Sequence, residues 1–145
     1  VLSGKANTGA RIVVIGGGCV GAETANHLAS NLKSVTLVEM LPDIATDESI
    51  VPRWGLLADL AKHQVKIMTD TTVEEITPEG VKVKGEATKT IPADTVVLSV
   101  GSRPADALAN ALKAAGYDVR IIGDAAKVGL AGEAIRQGFE LGGAL

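Results

Sequence analysis

A chain of 145 residues has the length of one ordinary domain and can bury a substantial core. Hydrophobic residues make up 46% and charged residues 21%, a globular composition that excludes a disordered chain. The net charge of −3, with no basic patch, argues against nucleic acid as a partner, and no apolar run reaches the roughly 18 residues a membrane span needs.

One Trp, one Tyr and one Phe leave the core to Val, Ile, Leu and Ala. The single cysteine excludes an internal disulfide and fits a reducing cytoplasm. The start shows no signal-peptide pattern. The chain opens on Val1 rather than Met, which reads as a piece of a longer protein.

Residues 1–10 are polar and read as a linker. Arg11-Ile12-Val13-Val14-Ile15 is a β-branched run ending in three glycines, the pattern of a buried parallel strand meeting a tight turn. From Cys19 to Ser30, Val20, Ala22, Thr24-Ala25 and Leu28-Ala29 recur at helical spacing. Ser34 to Glu39 is a second strand, so the first forty residues form a right-handed βαβ unit. Leu41 to Thr46 is a loop, Glu48 to His63 a helix with Pro52 near its start, and Val65 to Met68 a third strand. Thr72–Thr77, Gly80–Lys84 and Lys89–Ile91 alternate in polarity between turns and read as an antiparallel meander. Thr95 to Val100 is a buried strand closed by Gly101. Asp106 to Ala115 is helical, Val119 to Ile122 a last strand and Gly132 to Leu141 a last helix. The fold expected is a three-layer α/β Rossmann-like domain, with helices on one face of a mainly parallel sheet and the meander on the other.

Gly16-Gly17-Gly18-Cys19-Val20-Gly21 fits G-x-G-x-x-G between a strand and a helix, the context in which that pattern signifies a dinucleotide turn. Gly16 makes the sharp turn, Gly18 lets a pyrophosphate approach the backbone, and Gly21 lets the helix pack on the strand. The helix start, Cys19 and Val20, then offers free N–H groups to phosphate. Glu39 ends the second strand about 18 residues past Gly21, the place of the acid that accepts from the adenosine ribose. Met40-Leu41-Pro42 follow it without an Arg for a 2′-phosphate, so NAD(H) is favoured over NADP(H). Cys19 reads as a packing residue rather than a redox thiol. Glu23, one turn into the helix, either complements the helix dipole or serves the site. His27 and His63 match no catalytic or metal spacing, and no residue is assigned as catalytic or metal-binding.

These residues resemble the nicotinamide domain of the pyridine nucleotide-disulfide oxidoreductase superfamily. The likeness runs through Val20-Gly21-Ala22-Glu23-Thr24-Ala25, Val35-Thr36-Leu37-Val38-Glu39, the meander from Thr72, and Val97-Leu98-Ser99-Val100-Gly101-Ser102-Arg103-Pro104. Ile121-Ile122-Gly123-Asp124-Ala125-Ala126 and the helix after it resemble the C-terminal flavin motif. Glu39-Met40-Leu41-Pro42-Asp43-Ile44-Ala45 with Asp47, and the opening from Val1 to Ala6, are most similar to the C-terminal part of NADH:flavin oxidoreductases of the 2-enoate reductase and dienoyl-CoA reductase type. The resemblance implies an NAD(H)-binding domain at residues 11–103 and, at 104–145, the end of an FAD-binding domain. It implies that NADH reduces FAD, with electrons passing through an iron–sulfur cluster to FMN and an activated alkene.

Carried over, the resemblance places Glu23 near nicotinamide and flavin, the Val73 backbone by the adenine, Val100 and Gly101 on the nicotinamide side, and Asp124 at the FAD ribityl-phosphate; Met40, next to Glu39, and Gly123, next to Asp124, are counted with the cofactor-binding residues. One glycine fingerprint and no cysteine cluster put the FAD-binding domain, the cluster and the barrel outside this chain, as partners, and leave it inactive alone. Two other readings remain: a stand-alone NAD(H)-sensing module, and FAD on the Gly16 loop. The strand from Val119 either joins the main sheet or pairs with a second copy of the chain.

Overall fold

The structure, a computed structural model, describes residues 5–144; residues 1–4 and 145, including part of the expected linker and of the opening that carries the resemblance, lie outside the described residues. The chain divides into two compact units, Val1–Gly101 and Ser102–Leu145.

In the first unit, β1 (Arg11–Ile15), β2 (Ser34–Val38), β3 (Lys66–Met68) and β7 (Thr95–Leu98) form a parallel sheet in the order β3-β2-β1-β7. β1 and β2 are rich in Val, Ile and Leu, with Arg11 and Ser34 exposed at their starts and Thr36 half-buried within β2, because both their faces are covered. Ile12, Val14, Val35 and Leu37 pack against α1 (Cys19–Ser30) and α2 (Ile50–Lys62) through Ala22, Ala25, Leu28 and Leu60. Val13, Ile15 and Val38 face the opposite way, onto Val81 and Val83 of the antiparallel meander β4 (Thr72–Thr77), β5 (Gly80–Lys84) and β6 (Thr88–Pro92). The expected three layers are present. Ile12, Leu37 and Leu60 are at most 1% exposed, and each stabilises the fold by about 2 kcal/mol through burial.

Several element bounds differ from the sequence reading by one or two residues, and three details of the first unit show why. Residues 8–10 are tied down rather than free: Gly9 N–H donates to Thr95 Oγ1 at 3.0 Å, Ser34 N–H to Ala10 O, and Lys33 Nζ to Thr8 O. Beside them Asp94 accepts from the Arg11 N–H at 2.9 Å and from its guanidinium, lashing β7 to β1. Second, α2 starts at Ile50 rather than Glu48. Glu48 turns its carboxylate onto the Ser49 N–H and hydroxyl, so both residues stay outside the helix. Third, β7 ends at Leu98, two residues before Val100. β4 also carries a bulge between Val73 and Glu75, so that two residues oppose Lys82.

The second unit holds α3 (Ala107–Ala114), a 3₁₀ turn at Gly123–Ala125 and α4 (Ala131–Gly143). The expected strand from Val119 to Ile122 is not formed. Ile122 has extended dihedrals, but among the described residues this unit offers no strand for it to pair with. Neither helix buries a residue; Leu108, Ile135 and Phe139 are exposed. Among the described residues no helix is long and apolar enough to cross a membrane.

Candidate functional site

The chain winds outward from β1 through β2 to β3, then returns across the meander to β7 on the other side of β1. The carboxyl ends of β1 and β7 therefore flank a topological switch point, where open α/β sheets bind ligands. The glycine turn lies there. Gly16 takes φ +100°, and a Cβ on it would stand 2.2 Å from Ser99 O. A Cβ on Gly21 would stand 1.9 Å from Gly16 O. A Cβ on Gly17 would meet Ile44 Cγ2 at 2.7 Å. These three glycines are required by the protein's own packing. Gly18 is not: the nearest atom to its Cβ position is Asp47 Oδ2 at 3.5 Å, and it stands in extended φ/ψ. Its bare backbone faces outward at the N-terminus of α1, a helix end whose N–H groups and positive potential suit an anion.

The segment from Glu39 to Ser49 walls the turn. Glu39 Oε2 accepts from Gly17 N–H at 2.5 Å and Oε1 from Leu41 N–H at 2.8 Å. Two backbone donors thus fix the carboxylate, while its remaining lone pairs can accept from two hydroxyls. Ala45, buried at φ +49°, donates its N–H to Gly17 O at 2.7 Å. Asp47 Oδ1 accepts from Cys19 N–H at 2.8 Å. Cys19 Sγ donates to Glu48 Oε2 at 3.3 Å. Burial first, then that bond and the charges of Glu23, Glu48 and Asp47, pushes the Cys19 thiol up to about 12. It stays protonated at neutral pH and is no thiolate nucleophile. Cys19, Glu23 and Glu48 gather their ligand-type atoms within 4.8 Å of one another. Glu23 is exposed and lies beyond the first turn of α1, so it does not complement the dipole there.

A cleft of about 440 Å³ opens beside the turn. Such a volume falls in the roughly 300–1,000 Å³ range of small-molecule sites. Of the residues singled out in the sequence, Gly16, Gly18, Glu39, Met40, Val73, Val100 and Gly101 line it. Among the described residues Glu39 is the one charged lining residue, and none is basic. Cys19, Val20, Gly21 and Glu23 stand on α1 beside the cleft rather than in its wall. Gly123 and Asp124 belong to the second unit, where Gly123 N–H donates to Gln137 Oε1 and Asp124 Oδ1 accepts from Gly129 N–H. Sequence reasoning missed Thr71, Thr72 and Ser99, which line the cleft. It named Asp47 only as part of a resemblance. The signal for Thr71 and Thr72 was their place at the entry to β4, the meander strand that carries Val73.

The order of these features along the chain is matched elsewhere. Residues 2–138 match the pyridine nucleotide-disulphide oxidoreductase family. This chain belongs to that family. Among its relatives are a metal reductase of Desulforamulus reducens, 38% identical over 96% of this chain and 25% of that protein, and an NADH oxidase of Thermoanaerobacter brockii, 41% identical over 97% of this chain and 22% of that protein. A solved 2-naphthoyl-CoA reductase superposes with a TM-score of 0.85 at 35% identity, covering 97% of this chain and 22% of that one. The chain thus spans about a quarter of the length of these relatives. The family and its reductase kin are those the sequence motifs resembled. Oxidoreductase chemistry with pyridine nucleotide and flavin is the family's, and a bare Gly18 before α1 with an anchored acid at Glu39 fits a dinucleotide.

Proposed function

We propose that this chain is the NADH-docking part of a larger flavin-dependent oxidoreductase. The observation that carries the reading is Gly18. Its neighbours in the turn are glycines because side chains would clash inside the protein, whereas a side chain on Gly18 would meet only Asp47, at ordinary contact distance, so the reading assigns its bareness to a ligand. The Gly18 backbone and the N–H groups of Cys19 and Val20 would receive the pyrophosphate. Glu39, held by Gly17 and Leu41, would accept from the adenosine ribose and repel a 2′-phosphate. The backbone around Val73 would flank the adenine, Met40 would cover the ribose edge, and Val100 and Gly101 would face the nicotinamide. When bound, NADH supplies a hydride to a flavin, and in the complete protein the electrons reach FMN and an activated alkene such as an enoate. This chain's own residues bind and orient; none is assigned a proton transfer. Gly123 and Asp124 would complete an FAD site only with the rest of a flavin domain, so no turnover is expected from the chain alone.

Calorimetric titration with NADH, NADPH and FAD, in wild type and Glu39→Arg, tests the reading. NADH should bind the wild type and weaken roughly 10- to 100-fold in Glu39→Arg, as expected for losing hydrogen bonds to a charged acceptor, with NADPH gaining. Tight FAD binding without an NADH response would instead put the flavin on the Gly16 loop.

A further inference from the structure

The α1 N-terminus carries an acid whose position the docking role does not require. The backbone ladder of α1 begins with Ala22 N–H on Gly18 O, so the amides before it have no partner within the helix. Gly18, the N-cap, has no side chain to serve them. Asp47, 28 residues further on, reaches across and takes the Cys19 N–H. Its two carboxylate oxygens stand 3.5 and 3.7 Å from the point a Gly18 Cβ would occupy, over the face of the turn that is otherwise clear. Asp47 is exposed, and among the described residues its one hydrogen bond is to Cys19. Its neighbour Glu48 is fully engaged by Ser49 and the Cys19 thiol. The loop that carries both acids is fixed independently of Asp47, through the buried Ala45 and its bond to Gly17 O.

We propose that Asp47 is a resident anion that competes with the dinucleotide pyrophosphate for the Cys19 amide and so sets the affinity of this cleft. The inference rests on the docking reading above and adds a residue to it. One amide cannot serve both anions, and among the described residues no basic one in the cleft wall offsets their repulsion. A pyrophosphate that settles on Gly18 displaces the Asp47 carboxylate, which is free to swing into solvent because nothing else holds it. Affinity is thereby lowered, and α1 is capped whether or not a ligand is bound. Asp47 is a positioning residue; it touches no reacting atom.

The competition predicts two effects of opposite sign in one variant. Asp47→Asn, and more strongly Asp47→Ala, loses a charged cap at a helix start, so Tm should fall by about 3 °C. The same variants should bind NADH roughly fivefold tighter, since the amide is released and a like charge removed. The measurement is Tm together with titrations of NADH and of inorganic pyrophosphate on the 145-residue chain, following the backbone amide resonance of Cys19. A purely structural Asp47 would lose stability and affinity together, which overturns the proposal. Equal NADH affinity in wild type and both variants also overturns it and leaves the docking reading intact. If NADH binds none of them while pyrophosphate binds the variants more tightly and shifts the Cys19 amide, the competition stands and the docking reading falls.

Discussion

The two units of this chain carry similar local signals and meet different fates. In the first, β1 and β2 are apolar runs that each find neighbours on both edges and layers on both faces, and their residues are almost wholly buried. In the second, Val119 to Ile122 is just as apolar in pattern, and α4 is amphipathic, yet no strand forms and no side chain of either helix is buried. A hydrophobic pattern states what a segment needs; only a partner converts it into structure, because strand backbone groups and apolar faces gain little alone.

The contrast can be attacked from the core outward. Leu37→Ala, in a fully buried position of the first unit, should cost about 3 kcal/mol of unfolding free energy in a urea titration. A loss under about 1 kcal/mol would mean the core is looser than its burial indicates. A smaller effect is expected at Asp94. Its carboxyl is lowered to about 2 by the Arg11 guanidinium and backbone N–H. A folded value below the ordinary carboxylate range stabilises the protein above about pH 4, and that contribution is lost as pH falls from about 4 to 2. Asp94→Asn should flatten this acid limb of Tm against pH, and an unchanged limb would assign it to other acids. The smallest effect is expected from Phe139→Ser, at a position 83% exposed: within about 0.5 kcal/mol in this chain. A larger loss would show that the second unit has a core the exposure does not reveal.

The same contrast explains what could be read from the sequence. β1 and α1 have the bounds their periodicity predicts, Arg11–Ile15 and Cys19–Ser30, because local pattern and tertiary burial agree there. The start of α2 was misread because Glu48 bonds to Ser49 instead of entering the helix, a choice among side-chain acceptors that periodicity does not encode. Glu39 was legible from its spacing, but its bond to Gly17 was not, since that depends on how a loop folds back. Asp47 was hidden for the same reason: it meets Cys19 across 28 positions of chain, and no short motif spans that distance. The strand expected at Val119 was legible as a need and misleading as a structure.

The bulge in β4 bears on how this protein can change length. Val73 pairs with Val83 and Ile76 with Val81, while the extra residue is taken up opposite Lys82. Removing Glu74 would turn the bulge into a regular ladder and leave both anchoring pairs in register, at the loss of one exposed ion pair with Lys82. A one-residue deletion at Lys82, between Val81 and Val83 in β5, would instead turn one of these two valines out of the core. Among homologous sequences, gaps within this hairpin should therefore collect at Glu74, next to the cleft wall yet without displacing it.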